Sequence, residues 1–533
     1  MENCPFYLLM SEICCTFVGS IMKKVFNILL LSCLALQLMG TEPAVQLWHG
    51  GEKVYEKAIN KVDSITFPNR QVSFWRNGVA SNFAMGEGDQ LKYSYADFYD
   101  SFHQNPDYLY DIDSVAEIKI TVTQADWETY LSNFDQWPHN SLYVPAAFEY
   151  KKNGRVFTRD SVGLRPRGNT SRVRPQGTDG NWHHAHFGIK FTEYATGERF
   201  FGSDRVILKW FKYDPTYVRE IFCYDMMRRF GVWSASRVCY VRLTIQVIGQ
   251  ANPVYMGVYA MIENPRKGYL KARRDDGYIP DNDGNMWKAA YGATFSDPNA
   301  SMGIDDDYGI ENHTYALKLV KSNLEAAKTE LKTYIPTLNQ LPSGSQNLKN
   351  WLEQNMDVDL FIRTMAVDVM VANCDDYWLN MNNYFVYFDT NHKLYFIPFD
   401  LDNSLGTAIE QYGNPGTKDL LNWGPRDGTR ILARKVFSIP EYETRFKNYI
   451  KQIATSDDLM SEAGSKARIR AWQAMISPYV SNDTGEDMTI YDAPASWGYY
   501  GGYRLLSGGI GDGQSGEEAN FFKTKINSIP VDW

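Results

Sequence analysis

The sequence predicts an α+β fold in two lobes: a mostly β N-lobe over about 107–275, then a mostly helical C-lobe over about 276–482 with an inserted β-hairpin. Three observations predict it. "AEIKITVTQADWETYL" at 116–131 alternates apolar and polar residues, as a strand does, before a helix-opening Thr123 or Ala125-Asp126. Apolar residues then recur at helical spacing through "LEAAKTELKTYIPTL" at 324–338, "LKNWLEQNMDVDLFIRTMAVDVMVAN" at 348–373 and "IPEYETRFKNYIKQIAT" at 439–455. Between the last two runs, "NYFVYFDTNHKLYFIPFD" at 383–400 reads as two strands turning at Thr390-Asn391.

The elements follow in chain order. "MKKVFNILLLSCLALQLMG" at 22–40 reads as a secretory leader: two lysines, an apolar run, then small residues. "LLSC" ending at Cys33 also has the form of a lipoprotein cleavage box, so the alternatives are lipidation at Cys33 and cleavage near Gly40. The apolar run is about 15 residues against the ~20 needed to span a bilayer. Residues 44–70 carry short strands around a Gly-Gly turn, and 71–106 shows no period and reads as a linker. "AAFEYKKNGRVFTRDSVGLRPRG" at 146–168 is a hairpin across Asn153-Gly154. "FGIKFTEY" at 187–194 is a strand, and "TYVREIFCYDMMRRFG" at 216–231 is an amphipathic helix stopped by Gly231. "SRVCYVRLTIQVIG" and "PVYMGVYAMIEN" add two strands. From 483 the chain is rich in Gly, Tyr and Ser and reads as a long loop before a terminal helix.

Composition narrows the function. A formal net charge of −9 argues against general nucleic-acid binding, which needs basic surface to displace phosphate counterions. Four of the seven cysteines (Cys4, Cys14, Cys15 and Cys33) fall within residues 1–40, and Cys223, Cys239 and Cys374 make neither a disulfide framework nor a zinc spacing. Buried thiols are the expectation, with a Cys223–Cys239 bridge the alternative.

A β lobe followed by a helical lobe with a hairpin is a kinase-like layout. Phosphoryl transfer asks for a lysine on the phosphates, a carboxylate beside the accepting hydroxyl, and carboxylates or amides on metal ions. "YFIPFDLDNSLG" at 395–406 puts Asp400 and Asp402 just after an apolar strand, where a kinase holds its metal-binding aspartate. Upstream, "ANCDDYWLNMNNY" at 372–384 places Asp375 five residues before Asn380, the spacing between a kinase's catalytic Asp and its metal-binding Asn. Asp376 competes with Asp375, and Asn383 competes with Asn380.

Taken together these pieces resemble the spore-coat CotH kinase family, an atypical branch of the protein-kinase-like fold. "VGLRPRGNTSR" resembles its Arg-x-Arg-Gly-Asn-Ser/Thr signature, "FGIKF" its lysine strand, and "VREIFCYDMMRRFG" its Arg-containing helix. "GVYAMIENPRKGYLK", "GNMWKA", "NCD", "NNYFVYFD" and "FIPFDLDNSLG" follow in the family's order, over roughly 107–482. The resemblance implies an exported kinase that transfers the γ-phosphate of ATP, with Mg²⁺ or Mn²⁺, to Ser/Thr hydroxyls of a secreted or surface protein. It implies Lys190 on the nucleotide phosphates, with Glu220 as its ion-pair partner although Arg219 is the family's usual mark on that helix. Arg167, Gly168 and Asn169 would form the loop over the phosphates, and Glu263 would face base or ribose. Lys288 would be a further nucleotide contact, Asp375 would orient the acceptor hydroxyl, and Asp400, Asp402, Asn380 and Asn383 would hold metal. Where the family often carries lysines before the Lys190 strand, this chain has His183, His184 and His186, three histidines at the expected phosphate mouth. The alternative readings are a catalytically weak kinase-fold scaffold and a carbohydrate-binding surface protein of the cell envelope. The sequence names neither the phosphoacceptor nor an oligomeric state.

Overall fold

The computed structural model describes residues 44–49, 52–58, 64–67, 71–76, 79–85, 89–94, 106–136, 142–168, 171–195, 199–305, 312–319, 323–407, 413–425, 429–495, 503–507 and 520–533. The leader, with Cys33 and Gly40, and Asn169 lie outside the described residues. The chain divides into two compact units, 1–105 and 106–533.

The first unit holds strands β1 (Ala44–His49), β2 (Glu52–Ala58), β3 (Ser64–Thr66), β4 (Gln71–Arg76), β5 (Val79–Ala84) and β6 (Gln90–Ser94). They form two three-stranded sheets, ordered β2-β1-β6 and β3-β4-β5. Val45, Leu47, Val72 and Phe74 make a small shared core, with Gln46 and Ser73 between them buried as well. The stretch expected to be a linker therefore contains three strands. Its inward positions are few and its strands short, so their period is lost among Gly and polar residues.

The second unit begins with the short helix α1 (Pro106–Leu109), followed by strand β7 (Ala116–Thr123) and helix α2 (Gln124–Asp135). Thr123 caps α2, its hydroxyl accepting the Asp126 N–H at 3.1 Å. Strands β8 (Val144–Lys152) and β9 (Arg155–Pro166) turn at Asn153-Gly154, both with positive φ (51° and 77°), the backbone a two-residue hairpin demands. Strands β10 (Phe187–Lys190) and β11 (Arg205–Lys209) precede helix α3 (Arg219–Arg229), and β12 (Val238–Ile248) and β13 (Val254–Glu263) follow it. These strands close a barrel in the order β10-β11-β13-β12-β7-β8-β9. The β7–β12 pairing is parallel and the others are antiparallel.

After helix α4 (Lys267–Asp275), β14 (Asn285–Ala289), β15 (Met302–Gly303) and β16 (Tyr315–Leu319) join β17 (Tyr384–Phe388) and β18 (Leu394–Pro398) in one sheet, ordered β15-β16-β14-β17-β18. The hairpin expected inside the helical part is thus two strands of five. β17 is buried along its whole length, so it needs a neighbour on each edge, and β14 supplies the second. Helices α5 (Leu324–Gln340), α6 (Gln346–Asn355) and α7 (Val358–Met370) lie between these strands in sequence. The run expected as one helix at 348–373 breaks at Met356, and Asp357 caps α7 by accepting the Leu360 N–H at 3.0 Å. Helices α8 (Ile431–Val436), α9 (Pro440–Thr455), α10 (Glu462–Ile476) and α11 (Phe521–Asn527) complete the unit.

One hydrophobic core runs through this unit, from Val238 and Tyr240 of the barrel through α3 and α7 to Phe521 and Phe522 of α11. The three described cysteines are free and buried, so no Cys223–Cys239 bridge forms. No described helix is long and apolar enough to cross a membrane. The fold is mixed α+β.

Candidate functional site

A cleft opens on the face of the barrel where β11 and β13 run beside α3. Strand β11 reads "RVILK", and its alternation sends Ile207 and Lys209 to the cleft. The Lys209 ammonium meets three carboxylates: Glu220 of α3 at 2.9 Å, Asp400 at 2.6 Å and Asp402 at 3.0 Å. Burial disfavours the ammonium, but Asp400, Asp402 and Glu220 outweigh it and hold the Lys209 pKa well above the ordinary value. The acids respond in opposite directions. Burial, with Asp402 and Asp400 beside it, lifts Glu220 to about 8 despite Lys209. Burial likewise raises Asp402, whereas at Asp400 the effect of burial is overridden by Lys209, with Lys288 and Arg167, leaving its carboxyl below the usual range.

Asp400 is held in a left-handed backbone (φ 60°) that L-residues rarely adopt. Its N–H donates to the Tyr224 hydroxyl at 3.0 Å, one helical turn beyond Glu220 on α3, so that helix presents both the acid and the pin. Opposite stands the loop that follows α7. Ala372, Met381, Asn383 and Leu405 also carry positive φ, which concentrates backbone strain in the two loops that carry the acids. Asp375 lines the cleft, and its carboxylate accepts the side-chain amides of Asn380 at 2.5 Å and Asn383 at 2.8 Å. Burial raises the Asp375 carboxyl to about 6, the Asn380 bond opposing and the negative Asp402 and Asp400 adding to the rise. Asp376 is buried and caps its own loop, accepting the Leu379 N–H at 2.7 Å. Of the two adjacent acids, Asp375 is therefore the one at the cleft.

Arg167 follows β9 and lines the cleft beside Gly168, whose φ of 99° favours glycine. Burial, with Arg165 nearby, pushes the Arg167 guanidinium down to about 9. An arginine does not give up its proton in a protein, so that pressure reads as a demand for an anion.

Lys190 and Glu263 lie away from this cleft, while Lys288, Asn380 and Asn383 stand next to residues that line it without lining it themselves. Lys190 ends β10 and is ion-paired with Glu193, its ammonium 5.4 Å from the Tyr143 ring centroid. In register it faces Arg205, at the opposite end of β11 from Lys209. Four strand residues separate the two positions, roughly 13 Å. Lys209 stands where Lys190 was expected, and Glu220 pairs with Lys209. Glu263 fails by parity: Ala260 and Ile262 of β13 line the cleft, and Glu263 lies buried among arginines. It bonds Arg273 at 2.6 Å and Arg237 at 3.2 Å. Burial would raise its carboxyl, but the two guanidiniums hold it at about 2. Lys288 sits on β14 close enough to depress Asp400.

Asn380 and Asn383 donate their amide N–H groups to Asp375, and of the four residues expected to hold metal it is Asp400 and Asp402 that line the cleft. Among the described residues there is no group of three or more His, Cys, Asp or Glu side chains able to hold a metal by themselves. With Glu220 largely protonated at neutral pH, Asp400 and Asp402 still outnumber the one ammonium they share. That fits Mg²⁺, which binds through one or two carboxylates and completes its octahedron with water and phosphate oxygens. The histidines do not form a metal site: His183 Nδ1 bonds Glu486 at 2.8 Å and His184 Nε2 bonds the Met256 carbonyl at 2.8 Å.

Lys209 and Tyr224 are among the cleft residues that sequence reasoning missed. A signal for Lys209 exists, since "RVILKW" is an alternating strand ending in lysine just before the helix that carries Glu220.

Residues 164–499 match the family model described as CotH kinase protein. The chain is similar to Invasin CotH7 of Rhizopus delemar, 25% identical over 320 residues, covering 58% of this chain and 50% of that one. Spore coat protein homolog 1 of the same organism is 24% identical over 50% of this chain and 42% of its own length. Invasin CotH3, also of Rhizopus delemar, is 26% identical over 37% of this chain and 31% of its own. The chain thus spans half or less of the length of these curated relatives.

Proposed function

The chain belongs to the CotH kinase protein family, and on that premise we propose that it is an exported phosphotransferase. It moves the γ-phosphoryl group of ATP to Ser/Thr hydroxyls of a secreted or surface protein. In this reading the barrel and the helical part are the two lobes of a kinase-like fold. The observation that carries it is Lys209 paired with Glu220 and facing Asp400 and Asp402, with Asp375 lining the same cleft.

Lys209 and Arg167 would bind the phosphates. Asp375, held by two asparagine amides, would orient the acceptor hydroxyl and take its proton as the new O–P bond forms and the β–γ bridge breaks. A pKa of about 6 leaves it ionised at neutral pH. Asp400 and Asp402 would hold Mg²⁺, which when bound neutralises charge on the phosphate oxygens. The relatives' names, invasin and spore coat protein, support placement at a surface.

A catalytically weak scaffold is the second reading. It is favoured by Lys209 bonding both Asp400 and Asp402, so that the phosphate lysine and the metal acids engage one another. Labelled ATP with Mg²⁺ or Mn²⁺ and the purified chain separates the two. Label on the chain or on an added surface protein, lost in Asp400→Asn, is the expected result. Nucleotide binding without any transfer would select the scaffold, and neither binding nor transfer at millimolar ATP would refute both.

A further inference from the structure

His186 lines the cleft and has no part in the reaction proposed above. It precedes β10, and its carbonyl accepts the Arg167 N–H at 3.0 Å, which ties it to the expected phosphate loop. The imidazole is 3% exposed. Its Nδ1 faces the Trp210 backbone N–H at 3.2 Å and must accept from it. That bond fixes the tautomer and leaves the proton on Nε2. Nε2 is buried with no hydrogen-bond partner. A buried donor left unpaired in a protein calls for an explanation.

The surroundings supply one. Arg167, Lys209 and Lys212 line the same cleft and act on the ring together with one acid, Asp400. Burial, with Lys209 next in weight, holds the ring's pKa well below its ordinary value and keeps it neutral. A neutral N–H adds a donor toward an anion without adding a further positive charge beside Arg167, whose guanidinium is already pressed by Arg165. A protonated Nε2 among cations cannot ligate a metal. His183 and His184 do not line this cleft, so they offer no substitute.

We infer that His186 is a positioning residue whose Nε2–H donates to a phosphate oxygen of a bound nucleoside triphosphate, on the side of the cleft that carries Arg167 and Lys209. The inference rests on the phosphotransferase reading. Its effect is to fix the polyphosphate against Lys209, where orientation rather than new chemistry raises the rate.

Two substitutions split the ring's functions. His186→Asn keeps an acceptor near the Nδ1 position for the Trp210 N–H and removes the distal donor. His186→Gln keeps a distal donor and loses the near acceptor. Affinities for ATP and adenosine are measured by calorimetry, with melting curves alongside. A hydrogen bond to a charged phosphate is worth tenfold or more in affinity. His186→Asn should therefore bind ATP about tenfold more weakly, with adenosine affinity and melting temperature near wild type. His186→Gln should keep most of the ATP affinity. The reverse order, or equal losses for ATP and adenosine, would show that the ring only pins the Trp210 backbone and would overturn the inference. Unchanged ATP affinity in both variants would overturn it as well. Failure of the wild-type chain to bind ATP would instead remove the phosphotransferase reading beneath it.

Discussion

Replacing Lys209 by Met removes the one ammonium shared by three carboxylates. The Lys209–Glu220 pair is well enclosed, its side chains 13% and 8% exposed. Removing one partner of such a pair costs about 3–5 kcal/mol. Asp400 and Asp402 are 40% and 43% exposed, so solvent screens them and their pairs add at most about 1 kcal/mol each. Against this, Glu220 already sits at about 8 with Lys209 present, and without the cation it rises further. At pH 7 it is therefore already mostly protonated, so little unpaired charge is left behind, which brings the net loss down to roughly 2–3 kcal/mol. Lys190→Met is the control. Its pair with Glu193 is a partly exposed neighbour pair, worth about 0–1 kcal/mol. The sign of the pH dependence follows from the same groups. Glu220 keeps its proton in both folded chains up to about pH 8, so the difference lies in Asp400 and Asp402: without Lys209 both rise, and the folded variant binds protons there that the unfolded chain has lost. The gap to wild type should therefore widen as pH rises from about 5 and narrow toward pH 5. Urea unfolding at pH 5, 6.5 and 8 reads the stabilities, and labelled-phosphate transfer reads the activity. Lys209→Met should abolish transfer and Lys190→Met should leave it within a few-fold. Equal destabilisation by the two substitutions, or transfer lost only in Lys190→Met, would refute the placement of Lys209 at the phosphates.

Asp375→Asn should lower transfer by ~10²–10⁴-fold with little change in nucleotide affinity. In the wild type the rate should climb as pH passes through about 6, where the base form fills, and this inflection should vanish in the variant; a pH–rate profile checks both. A third prediction concerns Lys525 of α11, which is fully buried, its ammonium donating to the Pro415 carbonyl at 3.0 Å. Burial holds it down at about 7 from 10.5, so between those values the unfolded chain binds more protons and stability rises with pH, at up to ~1.4 kcal/mol per pH unit. Lys525→Met should raise the melting temperature at pH 7 and flatten the wild-type slope between pH 7 and 9. A variant that melts lower at pH 7 would show that the Pro415 bond outweighs the burial of the charge.

The residues whose grouping was legible in the sequence share one property: each lies inside a short local frame. Asp375 and Asn380 lie on one loop, Asp400 and Asp402 follow one strand, and Arg167 and Gly168 close one strand end. Spacing along the chain suffices for these. The lysine needed more. Both "FGIK" and "RVILK" are alternating strands that end in lysine, and nothing within either says which end of the barrel meets α3. Antiparallel pairing decides it by setting Lys190 against Arg205. Glu263 needed parity as well: a strand end is visible in sequence, but the face its last residue takes is fixed by Ala260 and Ile262 turning to the cleft.

Arg219 shows why the fold was less legible than the site. Its neighbours in sequence supply part of its shell, with Nη1 bonding Asp214 at 2.5 Å and Thr216 at 3.1 Å. Its Nη2 donates to the Ala493 and Tyr503 carbonyls at 3.1 and 3.0 Å, more than 270 positions away. The Gly- and Tyr-rich stretch that holds those carbonyls has no hydrophobic period, because its role here is to offer backbone oxygens to a buried guanidinium. Other contacts of that stretch are polar too, through side chains: the Asp483 carboxylate accepts the Tyr255 N–H at 2.7 Å, and the Glu486 carboxylate accepts the His184 N–H at 2.9 Å. Periodicity reports side chains that face a core. It is silent about segments held through polar groups to a distant helix, and so a stretch that reads as loose loop contributes to the shell of a residue on α3, one position before Glu220.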